Sequence, residues 1–325
     1  MKLRVVIVSL LGLALAIYLV AYAGIGAVFS AVVAVGWSGF ALLCLYALGL
    51  FVILGCAWYV LLPESSAATL RVFVWARMVR DAATDVLPFS QLGGIVLGAR
   101  AAILHGISDT LVYSATIVDV TTEMLAQIAY VALGVLILDL RAPPSSFAQS
   151  LIKALLIGVV CAVACAGVFL ALQRHGHRVI ERVTARFLPG ALRHTMAVST
   201  GLRSIYRSRA RVGASIVIHA VGWIASAIGA WIAFRLIGMR VELKSVFALE
   251  GLVSAIRSTA VFIPHALGAQ EAAYTLLSPL FGIGAEFGLA VSVLKRARDL
   301  AIGVPILLIW QAMEGHRARS RPAVG

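Results

Sequence analysis

The sequence predicts an all-α polytopic membrane protein with about six full transmembrane helices and two proline- and glycine-broken re-entrant segments arranged as an inverted repeat. Three observations predict it. The 325 residues are 62% hydrophobic and 13% charged, with a mean hydropathy of +1.00, more apolar surface than a soluble domain can bury. Uninterrupted Ala/Val/Leu/Ile runs of helical spanning length recur along the chain, without the alternation of a membrane β-barrel. Two proline-broken segments carry the same pattern: Arg80, Pro88 and Gly93 precede Asp119 and Glu123, and Arg257, Pro264 and Gly268 precede Lys295 and Asp299. The separations from each proline to the two charges that follow it are identical.

Taken in order, full spans are expected near 5–23, 38–62, 111–138, 151–172, 213–237 and 286–311. The opening Lys2, Arg4 and Ala21-Tyr22-Ala23 imitate a signal peptide, but the apolar run is long enough to remain as a first helix. The stretch 64–110 is apolar yet holds Arg71, Arg77, Arg80, Asp81 and Asp85, and Pro88 with Gly93-Gly94 divides it. Proline removes a backbone donor, so one straight helix is not expected, and re-entrant half-helices are. The stretch 244–285 repeats this, with Glu250 and Arg257 before Pro264 and Glu271 after it. The chain thus reads as one membrane domain, 1–325, with a first repeat at 1–140 and a second at 141–325. Each broken segment is followed by a span, and these two spans lie three apart, so they run in opposite directions. Broken, charged segments in corresponding positions point to a transporter's binding site.

The net charge of +13 orients the protein rather than marking a nucleic-acid binder. Lys2 and Arg4, the arginines of a basic loop at 174–212, and Arg317, Arg319 and Arg321 fall on one side of a six-span chain. The opposite loops near Gly24–Gly36, Asp139–Ser150 and Gly238–Lys244 are short and nearly neutral. Both termini and the basic loop are therefore expected in the cytoplasm. Cys44, Cys56, Cys161 and Cys165 lie in apolar spans and read as packing residues, so neither a metal nor another cofactor is expected.

Charge deep in a span is costly unless paired or wet, which makes Asp119, Glu123, Lys295, Arg298 and Asp299 candidates for intramembrane charge pairing or proton coupling. Asp119 with Glu123, and Lys295 with Asp299, share helix faces. The simplest pairing sets the acids of the third span against Lys295 and Arg298 of the sixth. Arg80, Pro88 and Gly93 at one breakpoint, and Arg257, Pro264, Gly268 and Glu271 at the other, are the candidate substrate-binding set, since helix ends freed by such breaks suit a phosphate or carboxylate. Arg257 could instead neutralise Glu250 or Glu271. His265, beside Pro264, is the histidine to test for proton coupling. No P-loop, metal-spaced histidine cluster or nucleophile elbow is present, so catalysis is not expected.

The run Phe262-Ile263-Pro264-His265-Ala266-Leu267-Gly268-Ala269-Gln270-Glu271 resembles the Pro…Gly…Glu signature of the flippase-like family typified by the membrane region of lysylphosphatidylglycerol synthase. Asp85-Val86-Leu87-Pro88 followed by Gly93-Gly94 is similar to the family's earlier Pro–Gly element. Gly268 to Tyr274, followed by Lys295-Arg296-Ala297-Arg298-Asp299-Leu300, resembles the hopanoid-biosynthesis-associated HpnL branch. The resemblance covers roughly 1–312. It implies lipid translocation or lipid handling in the bacterial inner membrane, of a hopanoid or an anionic phospholipid, with membrane lipids as the first partners. The family's aminoacyl-lipid synthases carry a large soluble domain after the membrane region, and the stretch after Gln311 is too short for one. Two alternatives stay open: a non-transporting scaffold that gathers lipid or hopanoid biosynthesis enzymes, and an intramembrane lipid-modifying enzyme.

Overall fold

A computed structural model describes residues 25–63, 67–87, 90–141, 146–175, 192–259 and 268–320, which are helical with no strand among them. In chain order the helices are α1 (Ile25–Tyr59), α2 (Ala67–Val86), α3 (Ser90–Leu104), α4 (Asp109–Arg141), α5 (Ser146–His175), α6 (Leu192–Arg207), α7 (Arg209–Leu236), α8 (Leu243–Thr259), α9 (Ala269–Leu277) and α10 (Ala285–Ser320), with a 3-10 turn at Ser278–Phe281. Four of them are long and apolar enough to cross a membrane: Val33–Tyr59 within α1, Asp109–Arg141, Gln149–Gln173 within α5, and Arg209–Leu236. The expected span at 5–23 lies outside the described residues. The expected span at 286–311 sits in the 36-residue α10, long enough, but with Lys295, Arg296, Arg298 and Asp299 in one stretch of it. Among the described residues, four of the expected spans therefore meet the length and composition of a membrane crossing.

Helix ends follow local chemistry. Positive φ at Gly106 separates α3 from α4. Asp109 then opens α4 and Arg141 closes it, each complementing the dipole end it meets. Gly238, also at positive φ, ends α7 while the Met239 N–H donates back to the Phe234 carbonyl at 3.0 Å. The basic stretch 174–212 departs from the expected loop. Its described part is largely helix, because Leu202 and Ile205 of α6 are buried against the core while Arg203 and Arg207 of the same helix are exposed.

Packing relies on small residues where helices cross, as expected where apolar burial gives helices no net drive to associate. A Cβ on Gly55 of α1 would lie 2.7 Å from the Val74 Cα of α2. Gly134 of α4 and Gly251 of α8 face each other, and a Cβ on either would meet the other's Cα at 3.6 Å. Gly303 of α10 meets Ala82 of α2. The helix pairings are α1 with α7, α2 with α3, α4 with α8 and α7, and α10 with α1 and α2. Two apolar cores result. One joins α2, α3 and the first half of α4 around Trp58, Phe73 and Val118; the other joins α8, α9 and the second half of α4 around Phe234, Leu249 and Tyr274. α5 is the least covered, with Ile157, Val160 and Val168 all exposed, a surface suited to lipid.

Candidate functional site

The sites are built on the two broken segments. α2 and α3 form a tight hairpin because Gly94 and Gly98 let α3 seat directly on α2. A Cβ on Gly94 would lie 2.5 Å from the Arg80 carbonyl oxygen, and one on Gly98 2.7 Å from the Arg80 Cβ. The helical spacing of Arg77, Arg80 and Asp81 sets all three toward α4. Arg80 donates to Asp119 and to Glu123, at 2.7 Å each. Arg77 donates to Glu123 at 2.7 Å and to Asp81 at 2.8 Å, and its Nη1 lies 3.8 Å from Asp119. The free oxygen of Asp119 faces His219 Nε2 of α7 at 3.0 Å. Asp119 and His219 are fully buried and Arg77 and Arg80 nearly so, while Asp81 and Glu123 keep about a fifth of their side-chain surface.

The second cluster joins α8, α9 and α10. Lys295 donates to Glu250 at 2.6 Å and to the Tyr274 hydroxyl at 2.8 Å, and Tyr274 also hydrogen-bonds Glu250. One residue on, Arg296 pairs with Glu271 at 2.5 Å. Glu271 also accepts from the Gly268 N–H at 2.9 Å and so caps α9, with Gly268 at positive φ to shape that start. Buried Gln270 reaches Ser292 at 3.0 Å.

A third group lies between the two. Arg257, near the end of α8, stands 3.8 Å from Asp85, near the end of α2, and Arg298 pairs with Asp299 at 2.6 Å on α10. Asp85 and Arg257 retain 23% and 34% of their side-chain exposure, which makes this junction more open than either cluster. Among the described residues, no group of three or more His, Cys, Asp or Glu could hold a metal ion.

Several expectations need correction. Asp119 and Glu123 do not pair with Lys295 and Arg298: Arg77 and Arg80 take the acids, and Glu250 takes Lys295. The reason is proximity, since the α2–α3 hairpin lies against α4 and brings two guanidinium forks whose geometry suits carboxylates. Arg257 does not neutralise Glu250 or Glu271, which have Lys295 and Arg296. Of the breakpoint residues, Gly93 is half-buried on α3, Gly268 precedes α9, and Pro88, Pro264 and His265 lie outside the described residues. Arg77, His219, Glu250, Tyr274 and Arg296 belong to the clusters although the candidate set omitted them.

The model of one family, described as the lysylphosphatidylglycerol synthase TM region, matches residues 7–306. The chain belongs to that family. It is accordingly a membrane protein linked to lipid handling. No curated protein and no solved structure matches the chain. The family match covers both broken segments and all three charge groups, so these charges sit within the family's own region rather than in an appended one.

Proposed function

We propose that the protein moves a lipid, a hopanoid or an anionic phospholipid, between the leaflets of the bacterial inner membrane, without chemical change to it. Both termini face the cytoplasm in this reading, because the basic segments then obey the positive-inside pattern. The observation that carries it is the Asp85–Arg257 junction, where the two broken segments bring opposite charges together at a partly exposed place between two buried ion-pair clusters. A headgroup phosphate would exchange into such a junction by taking Arg257 from Asp85, with Arg298 beside it. The buried clusters would hold the hairpins rigid around it.

We infer an inverted repeat as well, which fits this reading. The order long helix, charged helix, short helix, long helix occurs as α1–α4 and again as α7–α10. Exchanging the two sets maps the packing onto itself: α4 lies on α8 as α10 lies on α2, α4 on α7 as α10 on α1, and α1 on α7. Proteins of this construction place substrate where the broken helices meet.

The test is a leaflet-resolved assay in vesicles reconstituted with the full chain and a fluorescent anionic phospholipid. Arg257→Ala is expected to slow lipid movement at least several-fold while abundance stays near that of the native protein, because its partner is partly exposed. Arg80→Lys keeps the charge but loses the two-pronged donor set, and is expected to weaken the α2–α4 contact instead. Native rates in Arg257→Ala would end the transport reading.

A further inference from the structure

The cluster on α2 and α4 does not balance. Three carboxylates, Asp81, Asp119 and Glu123, share two guanidinium groups, Arg77 and Arg80, within 4 Å. In the other two groups a cation stands against each acid: Lys295 against Glu250, Arg296 against Glu271, Arg298 against Asp299 and Arg257 against Asp85. A surplus negative charge is costly where little water reaches it, and here Asp119 is fully buried while Asp81 and Glu123 keep only about a fifth of their side-chain surface. Among the described residues, the one further ionisable group in contact is His219, itself fully buried and bonded to Asp119.

We propose that His219 is a proton-binding site, its imidazolium being the third cation of this cluster. The geometry leaves one ring nitrogen uncommitted among the described residues. A carboxylate only accepts, so Nε2 carries the hydrogen toward Asp119 Oδ1. Nδ1 has no hydrogen-bond partner among the described residues, so a proton joins or leaves its lone pair without breaking the bond to Asp119. One turn earlier on α7, buried Ser215 hydrogen-bonds Thr122 of α4 at 2.9 Å and pins the two helices in register.

The other groups around α7 do not serve as this counter-charge. On α4, Tyr130 stacks on Trp223 of α7 and is uncharged. α1 has no charged residue from Ile25 to Tyr59, and Cys44, Tyr46, Cys56 and Tyr59 are its titratable groups. α8 carries Lys244, Glu250 and Arg257, the last two paired with Lys295 and Asp85. α10 brings Lys295, Arg296, Arg298 and Asp299, each held as above. α6 carries Arg193, His194, Tyr206, and the exposed Arg203 and Arg207, while Arg209, Arg211 and Arg235 lie toward the two ends of α7.

The proposal rests on the cluster in the resting protein and not on lipid transport, so it is tested without a transport assay. The full chain in lipid vesicles, with His219 kept as its single histidine and ring-labelled with ¹⁵N, reports the protonation of each ring nitrogen by solid-state NMR. At about pH 7, where histidine commonly exchanges its proton, both nitrogens are expected to be protonated. Glu123→Gln removes the surplus carboxylate and is expected to restore one bare nitrogen at the same pH. Should the single-histidine protein not fold, the difference between native and His219→Gln spectra gives the same signal. A bare Nδ1 in the native cluster at about pH 7 overturns the proposal, as does protonation unaffected by Glu123→Gln.

Discussion

Lys295 shows what the buried charges contribute to the fold. Its ammonium is enclosed by Glu250, the Tyr274 hydroxyl and, at 5.3 Å, the Tyr274 ring. Lys295→Met keeps the stem and deletes the charge, stranding a buried carboxylate, and is expected to cost about 3–5 kcal/mol of stability. Lys295→Met with Glu250→Gln should recover part of that, since no lone charge remains. Unfolding of purified protein in detergent measures both, and simple additivity of the two changes would count against the pairing. Such residues were legible in the sequence because charge in an apolar span is conspicuous, and Arg80, Asp119, Glu123 and Lys295 all lie in buried ion pairs. Their partners were not legible, since these depend on which helices touch. His219 was hidden for a different reason. A lone histidine inside an otherwise uncharged span carries no spacing signal, and only its distance to Asp119 singles it out.

Among the elements, the α2–α3 hairpin carries the most weight, because it aims both arginines of the first cluster. Gly94→Ala would drive a methyl group into Thr84 and the Arg80 backbone, neither of which is the free end of a flexible chain. Overpacking of this kind typically costs about 1–3 kcal/mol, and the hairpin must open to relieve it. Gly158→Ala on α5, where a new Cβ meets nothing within 4 Å, is the matched control and should leave stability unchanged or slightly raised. Thermal unfolding of the two variants separates close helix contact from mere loss of glycine. The main spans were legible to within a few residues, since long apolar runs have few other fates. The α6 helix was not: its buried positions are few, and the arginines between them read as part of one basic cytoplasmic loop. The glycine crossings were invisible as well, because a glycine in an apolar run signals close approach only once a neighbouring helix is known.

At the scale of the molecule, the question is whether the two sets of helices act as one unit. Asp119 of α4 faces His219 of α7 across the sets, whereas the Arg80–Asp119 and Lys295–Glu250 pairs each stay within one set, with the charges exchanged between them. In the first set the cations lie on the broken segment and the acids on the helix that follows. In the second, Glu250 lies on the broken segment and Lys295 on the helix that follows. The matched spacing after each proline was therefore visible in the sequence, whereas this reversal of sign, which gives Arg80 and Lys295 their acids within their own sets, was not. Only Asp85 and Arg257 link the two broken segments directly by charge among the ion pairs described above. Asp85→Arg sets two arginines against each other, with Arg298 nearby on α10, and is expected to push the segments apart and slow lipid movement. Exchanging the pair, Asp85→Arg with Arg257→Asp, restores the attraction and should recover a substantial part of the rate. The geometry is loose and partly solvated, so both variants should fold, and the effect belongs to the junction rather than to global stability. Single-cysteine probes at Ser208 and Arg240, on opposite ends of α7, supply the orientation in the same vesicles, with labelling expected from opposite sides. Recovery in the exchanged pair would tie transport to the meeting of the two segments. An exchanged pair as slow as Asp85→Arg alone would mean that each side chain acts separately and that the junction is not where the lipid passes.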